Sequence, residues 1–597
     1  MTSVAGRPAS PASGASPAPA PDQADAAKTL FIPKMRSGPA DNSADAAKTV
    51  LIPKMGSGPV GDSDATELLP RILGHGPKAQ ANPDRGLRRL RPDFLIVGLL
   101  VLVVTTVQAW NIGGFPNLTD DEGTYLAQAW AVREGVGLAH YTYWYDHPPV
   151  GWIQLAALSW LPALLMPDQL AVVTGRVAML PIVAAGVVLV YVLCRRLSMA
   201  RWAAALAVLA YGLSPLSVTM LRQIYLDSFA VTWMLAAFVL ALSPRRHLWH
   251  HVAAGAAAGI AVLSKETILV VLPALVVALW HGTQRNGVRS FSFAGFFSGL
   301  VFVGITYPLY ALLKGELFPG DGHVSLIGAM QFQLQDRAGS GSVFTAGTGA
   351  REVFDSWLFY DPVLIYAGIA CGLLALAVRR LRPVAVAVAL LLVVALRPGG
   401  YLPAMYVIQA LPFLAVAVAG IIEVGAKRIM ATRPTDPAPM ADRHQPATVV
   451  RAGVVAVCAT VALVLVVPGW YDGNRRAMSA DDNVRYVAAM QWLSNEVPDR
   501  AATTVVTDDV LWLDLVDAGY RPERVIWFYK LDLDVEVAKR LENGWRDVDL
   551  IISTPAMRGD DNTLPTVDLL LANSEPVMTF GDGPDRIEIR QVAKETG

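Results

Sequence analysis

The sequence predicts a polytopic α-helical membrane protein with a small C-terminal α/β domain and a disordered N-terminal tail. Three observations predict it. Of the 597 residues 53% are hydrophobic and only 17% charged, and the mean hydropathy is +0.41, far above that of a usual soluble domain of this size. Apolar segments recur from residue 94 to residue 468, and basic clusters between them give the chain a sidedness. A net charge of −1 points to no nucleic-acid partner.

Residues 1–90 are rich in Pro, Ala, Ser and Gly, cannot bury enough apolar area to offset the entropy of ordering, and show no secretory signal pattern. They read as a cytoplasmic tail. Within it ADAAKTLFIPKMRSGP (24–39) recurs as ADAAKTVLIPKMGSGP (44–59), with DATELLPRIL (64–73) as a degenerate third copy. Each copy sets a threonine (Thr29, Thr49, Thr66) three residues before Ile32, Ile52 or Leu69. That spacing resembles the preference of forkhead-associated domains around phosphothreonine, so the expectation is docking of a phosphothreonine reader, set against a duplicated linker with no binding role.

The apolar segments lie at about 94–110, 152–166, 174–194, 202–220, 229–242, 252–264, 268–280, 291–313, 363–378, 383–396, 402–423 and 452–468. Arg85, Arg88, Arg89 and Arg91, RRLSMAR (195–201), RRHLWHH (245–251), Arg285 with Arg289, RRLR (379–382) and the 426–451 linker are expected on the cytoplasmic side. The loop 111–150, the Asp227 turn, the loop 314–360 and everything after 470 then face outward. Crossing at 152–166 would put RRLSMAR outside, so this Pro162-containing segment reads as re-entrant or interfacial, leaving about eleven spans. Residues 470–597 alternate helix-like and strand-like runs, with no GxGxxG or P-loop pattern, and read as an extracytoplasmic α/β domain with an accessory or acceptor-binding role. The three cysteines lie in or beside apolar segments and suggest neither a disulfide framework nor a metal cluster.

The outward face gathers the chemistry. LTDDEGTYLAQAW (118–130) has Thr119 and Glu122 at capping-box spacing, with Asp120 and Asp121 suited to the first turn of a helix; local rules alone explain much of it. DHPPVGW (146–152) sets Asp146 and His147 before a rigid Pro-Pro pair, and SVTMLRQIYLDSF (217–229) brings Arg222 and Asp227 to the same boundary. A single charge there could merely snorkel; acids and bases arriving from three segments argue for a site. The 314–360 loop, with its Gly-rich AGSGSVFTAGTGA, suits either a mobile lid or a plain connector.

In order and sidedness, DDEGTY, DHPPVGW, TGRVAMLPIV, LRQIYLD and GIAVLSKETILVVLP (259–273) resemble the GT-C membrane glycosyltransferases, nearest the protein O-mannosyltransferase and aminoarabinose-transferase group. The resemblance covers roughly 93–425, ahead of the linker and last span (452–468). It implies a polyprenyl-phosphate-linked sugar as donor and Asp121 with Glu122 as the family's acid pair, Asp121 acting as general base; the extra acid Asp120 could take that role if the register slips by one. It implies that Asp227 is the second acid, orienting the acceptor or binding a divalent metal together with Asp121. His147 would meet the donor phosphate or act as an orienting group beside Asp146, and Arg222, Lys265 and Arg176 would supply positive charge where the lipid phosphate leaves. Lys265 and Glu266 could instead form a neutralised pair. A single displacement would invert the anomeric centre. The competing functions are a transporter or flippase for a lipid-linked solute and a non-catalytic envelope scaffold.

Overall fold

The computed structural model describes residues 83–283, 287, 289–397, 399–431, 445–559 and 564–593. The threonine repeats with Thr29, Thr49 and Thr66 lie outside the described residues, as does the middle of the 426–451 linker, 432–444.

Helix α1 (Pro83–Ala109) starts inside the stretch read as tail, because Pro83 stands at its first position and the helix runs unbroken through Pro92 into the apolar run. The loop after it leads to α2 (Asp120–Arg133), then α3 (Val150–Leu165), α4 (Ala171–Arg196), α5 (Arg201–Leu213), α6 (Pro215–Leu221), α7 (Leu226–Ala241) and α8 (Leu248–Ser264). A 3-10 turn, Glu266–Val271, joins α8 to α9 (Leu272–Thr283), followed by α10 (Arg289–Gly304) and α11 (Thr306–Leu313). The bundle closes with α12 (Gly349–Tyr360), α13 (Pro362–Ala375), α14 (Arg382–Ala395), α15 (Val407–Met430) and α16 (Gln445–Ser479).

Among the described residues six helical stretches are long and apolar enough to cross a bilayer. Two bent pairs, α5 with α6 at 61° and α12 with α13 at 104°, and three shorter apolar helices, α3, α7 and α8, accompany them. The eleven expected crossings thus include helices shorter than a bilayer core about 30 Å thick. Segment α3 has 16 residues, about 24 Å of helix, and packs between α2 and α4. Close approach of α8 and α10 depends on Gly255 and Gly299: an added Cβ would fall 1.9 Å from the Phe296 carbonyl oxygen or 2.2 Å from that of Val252.

Two expectations are corrected. The 314–360 loop ends in helix α12, capped by Thr348, whose Oγ1 accepts from the Arg351 amide at 3.3 Å; Asp361 and Pro362 then stop it and start α13. Nor is its Gly-rich part a free lid. The Ser340 amide donates to the Gly400 carbonyl at 3.1 Å, and Ser340 Oγ accepts from the Leu402 amide at 2.8 Å, so the loop is pinned to residues 400–402. The segment 452–468 lies inside α16, a single 35-residue helix.

Beyond α16 come α17 (Val484–Glu496), β1 (Val505–Thr507), α18 (Asp509–Asp517), β2 (Val525–Trp527), β3 (Leu550–Ser553), β4 (Ser574–Phe580) and β5 (Ile587–Val592). The sheet order is β2-β1-β3-β5-β4, parallel across the first three strands and antiparallel across the rest. Strand alternation splits its side chains between two cores. Val505, Val525, Trp527 and Ile589 join one that also holds Tyr125, Trp152, Leu155 and Val172, whereas Val506, Ile526 and Ile551 face the domain's own helices. The α/β domain therefore shares a core with α2, α3 and α4.

Candidate active site

The first turn of α2 sorts its three acids. Glu122 turns inward, where its Oε2 accepts from the Thr119 amide at 3.3 Å, completing the capping box. Arg176 from α4 meets it with two parallel bonds, Nε to Oε1 at 2.8 Å and Nη2 to Oε2 at 2.7 Å, both residues being fully buried. The remaining Arg176 donors reach the carbonyls of Ile112, Pro116 and Asn117, so all five N–H groups are used within the protein. The Ile224 amide adds a bond to Glu122 Oε1 at 3.1 Å.

Arg222 is equally enclosed. Its Nη1 donates to the carbonyls of Trp110 and Phe115, and its Nη2 to that of Val107, at 3.1–3.3 Å; it thus caps the C-terminal end of α1, where cations are favoured. Both arginines brace the 107–117 stretch, and neither lines the cavity described next.

Asp121 and Asp120 face a cavity of about 710 Å³. Three parts of the chain line it: Thr119, Asp120, Asp121, Thr124 and Tyr225 from the α2 and α7 entries; Ser340, Gly349, Glu352, Val353 and Tyr401 to Met405 from the pinned loop and its partners; and Asp509 and Tyr529 from the C-terminal domain. Sequence reasoning did not find Glu352, Tyr401, Asp509 or Tyr529. The one signal for Asp509 was the TDD run (507–509) at a strand-to-helix junction, with nothing to say where that junction points.

The third group forms around the end of α8. Lys265 lies where that helix breaks; its Nζ is 2.8 Å from His147 Nε2, while Nδ1 is 3.2 Å from both Glu266 carboxylate oxygens. This geometry suits a neutral imidazole that donates from Nδ1 to Glu266 and accepts at Nε2 from the ammonium. The backbone carbonyl of His147 accepts from the Tyr143 hydroxyl at 2.6 Å and the Tyr307 hydroxyl at 3.3 Å. Asp227, buried at the start of α7, accepts from Gln409 Nε2 at 2.6 Å; the same amide reaches Thr267. Tyr125, itself buried, lies within electrostatic reach of Asp121, Asp227, Glu266 and Asp146. Asp146 is exposed and acts on Lys530 of the C-terminal domain.

Docking of the domain on α2 is tight. An added Cβ on Gly123 would stand 2.1 Å from the Asp509 carbonyl oxygen, so glycine is required for α18 to rest there. Thr124 Oγ1 donates to Asp509 Oδ2, as does the Tyr529 hydroxyl at 2.9 Å. Burial first, then the neighbouring Asp120 charge, pushes the Asp509 carboxyl well above the usual range. Asp514, whose Oδ1 accepts from the Ala171 amide at 2.7 Å and so caps α4, is pushed up to about 8 by burial. Asn483 ties the domain to the loop before α2, accepting from the Leu118 amide and donating to the carbonyls of Gly113 and Pro116.

Asp121 and Asp227, the two acids that a metal would need, belong to different groups. Among the described residues no three His, Cys, Asp or Glu side chains converge as a metal site, and no step below runs through a metal.

Comparison with known proteins bears on the fold. A family model described as dolichyl-phosphate-mannose-protein mannosyltransferase matches residues 146–308, the stretch that holds His147, Arg176, Arg222, Asp227 and Lys265. The crystal structure of ArnT from Cupriavidus metallidurans bound to undecaprenyl phosphate superposes with a TM-score of 0.52 at 16% identity, over 85% of this chain and 99% of that one. The apo structure of ArnT gives 0.51 at 17% identity, over 83% and 98%. No curated protein matches the chain by sequence. The GT-C-like resemblance read from the motifs therefore holds at the level of fold.

Proposed function

We propose that this chain is a membrane glycosyltransferase that moves a hexosyl or pentosyl group from a polyprenyl-phosphate donor to an acceptor outside the cytoplasmic membrane. The tail would lie in the cytoplasm and the C-terminal domain on the far side. The observation that carries the reading is Asp121, open to a 710 Å³ cavity, together with the Lys265 and His147 pair at the end of α8, in a fold shared with ArnT.

In this reading the acceptor hydroxyl lies against Asp121, which takes its proton as the oxygen attacks the anomeric carbon. The bond from that carbon to the phosphate oxygen breaks on the opposite face, the anomeric centre inverts, and polyprenyl phosphate leaves with the electron pair. Lys265, oriented through His147, stabilises the charge that grows on the phosphate. Asp227, held by Gln409, lies within electrostatic reach of Lys265 and His147 and keeps them oriented. Glu122, Arg176 and Arg222 are positioning residues that fix the first turn of α2.

The test is a deletion strain complemented at matched membrane levels with wild type, Asp121→Asn or Asp227→Asn, its polyprenyl-phosphate sugars and envelope glycans compared by mass spectrometry. Loss of one glycan with build-up of one lipid-linked sugar, rescued only by wild type, is the expected result. Full rescue by both variants would overturn the catalytic assignment and favour a scaffold.

A further inference from the structure

The C-terminal domain does more than sit on the bundle, because it closes one wall of the cavity with Asp509 and Tyr529. Asp509 is 2% exposed, yet its Oδ1 has no hydrogen-bond partner, whereas Oδ2 is held by Thr124 and Tyr529. A buried carboxyl oxygen left without a partner at a cavity wall is costly unless a ligand completes it. The lining around it has a definite chemistry. It offers the carboxyl groups of Asp120, Asp121 and Glu352 and three tyrosine rings; among the described residues no Lys, Arg or His lines it, and the one cation beside it, Arg337, is stacked on the Tyr401 ring at 3.6 Å. Three carboxyl groups against a single stacked guanidinium disfavour an anion through like-charge repulsion. Carboxyl and hydroxyl groups beside flat aromatic faces suit the alternating polar edges and apolar faces of a sugar ring. The cation meant for the donor phosphate in the reading above, Lys265, lies outside this lining.

We propose that Asp509, carried in by the C-terminal domain and held by Tyr529, is an acceptor-binding residue, and that the acceptor is an uncharged, hydroxyl-rich glycan rather than a phosphate-bearing lipid. This rests on the transferase reading for the role of the bound glycan, though not for the binding itself. The raised protonation of Asp509 fits a group that donates one hydrogen bond to a sugar oxygen without adding charge.

The experiment measures binding first, on the full-length protein in detergent. The probes are a neutral octyl disaccharide, the same glycoside carrying one phosphate, and the same glycoside carrying one amine. Wild type is expected to bind the neutral probe at least tenfold more tightly than the phosphorylated one and no less tightly than the amine. Asp509→Ala should lose about tenfold, and Tyr529→Phe, which keeps the ring and removes only the hydroxyl, threefold or more. Equal binding of the three probes, tighter binding of the amine, or unchanged affinity in Tyr529→Phe would overturn the proposal, even if Asp509→Ala misfolds. Transfer from native-membrane polyprenyl-phosphate sugars to the neutral probe is then followed. Asp509→Ala should raise the acceptor KM about tenfold with kcat within threefold, and an unchanged KM would overturn the role of Asp509. Binding as expected with no transfer by wild type would sink the transferase reading alone.

Discussion

Asp121 and Glu122 are neighbours in the chain with opposite fates. Glu122 is sealed with Arg176 inside a network in which every guanidinium donor is used; Asp121, a step of about 100° further round the helix, opens onto the cavity. One helical turn thus divides a run of like charges into a structural anchor and a chemical group. The anchor lets the other acid stay exposed, since the capping box and the Arg176 fork fix where the turn points.

Variants can separate the two roles. Asp121→Asn has the largest expected effect, a fall in transfer of about 10²–10⁴-fold with unchanged thermal unfolding; retained activity would remove the difference between the two acids. Arg176→Met leaves Glu122 buried without its partner and should cost about 3–5 kcal/mol, seen as a lower midpoint of thermal unfolding whether or not substrate is present. A loss of activity at normal stability would instead return Arg176 to the reaction centre. Gly123→Ala pushes a methyl group into the Asp509 carbonyl and should cost about 1–3 kcal/mol, read as faster hydrogen exchange at the Leu118 and Ala171 amides with exchange within the bundle unaltered.

The last effect concerns pH. Asp514 carries a proton in the folded protein up to about pH 8, against an ordinary aspartate value near 4. A carboxyl raised on folding contributes stability that is fully present below its unfolded value and is lost as pH rises through the folded value, so docking should weaken between about pH 4 and 8 and level off above that. The protection factor of the Ala171 amide, which removes the intrinsic pH dependence of exchange, should fall with pH across that range in wild type and stay flat in Asp514→Asn; an equal slope in both would shift the cause to another group.

Much of the bundle was legible because a period of apolar segments survives any detail of packing, and the acids before α2 were legible because helix starts follow local rules. Arg222 shows where that ends. A buried arginine at a membrane boundary reads alike whether it meets a phosphate or the last carbonyls of a helix, and only the path of the 107–117 stretch decides between them. Asp361 with Pro362 was a readable stop and start, yet the polar composition of 314–360 outweighed it. Asp509 is the extreme case: it meets Thr124 across 385 positions, and no periodicity reports a contact of that range.

Gly123 also sets how the chain can be rearranged. With no Cβ between α2 and α18, and with one apolar core running from Trp152 to Ile589, the seam between bundle and C-terminal domain is as close as the inside of a single domain. Exchange of the C-terminal domain between relatives would need the first turn of α2 and the Asn111 to Asn117 loop to travel with it. In recombination this chain should behave as one unit from α2 to its last strand, and a hybrid cut in α16 alone would inherit a broken cavity.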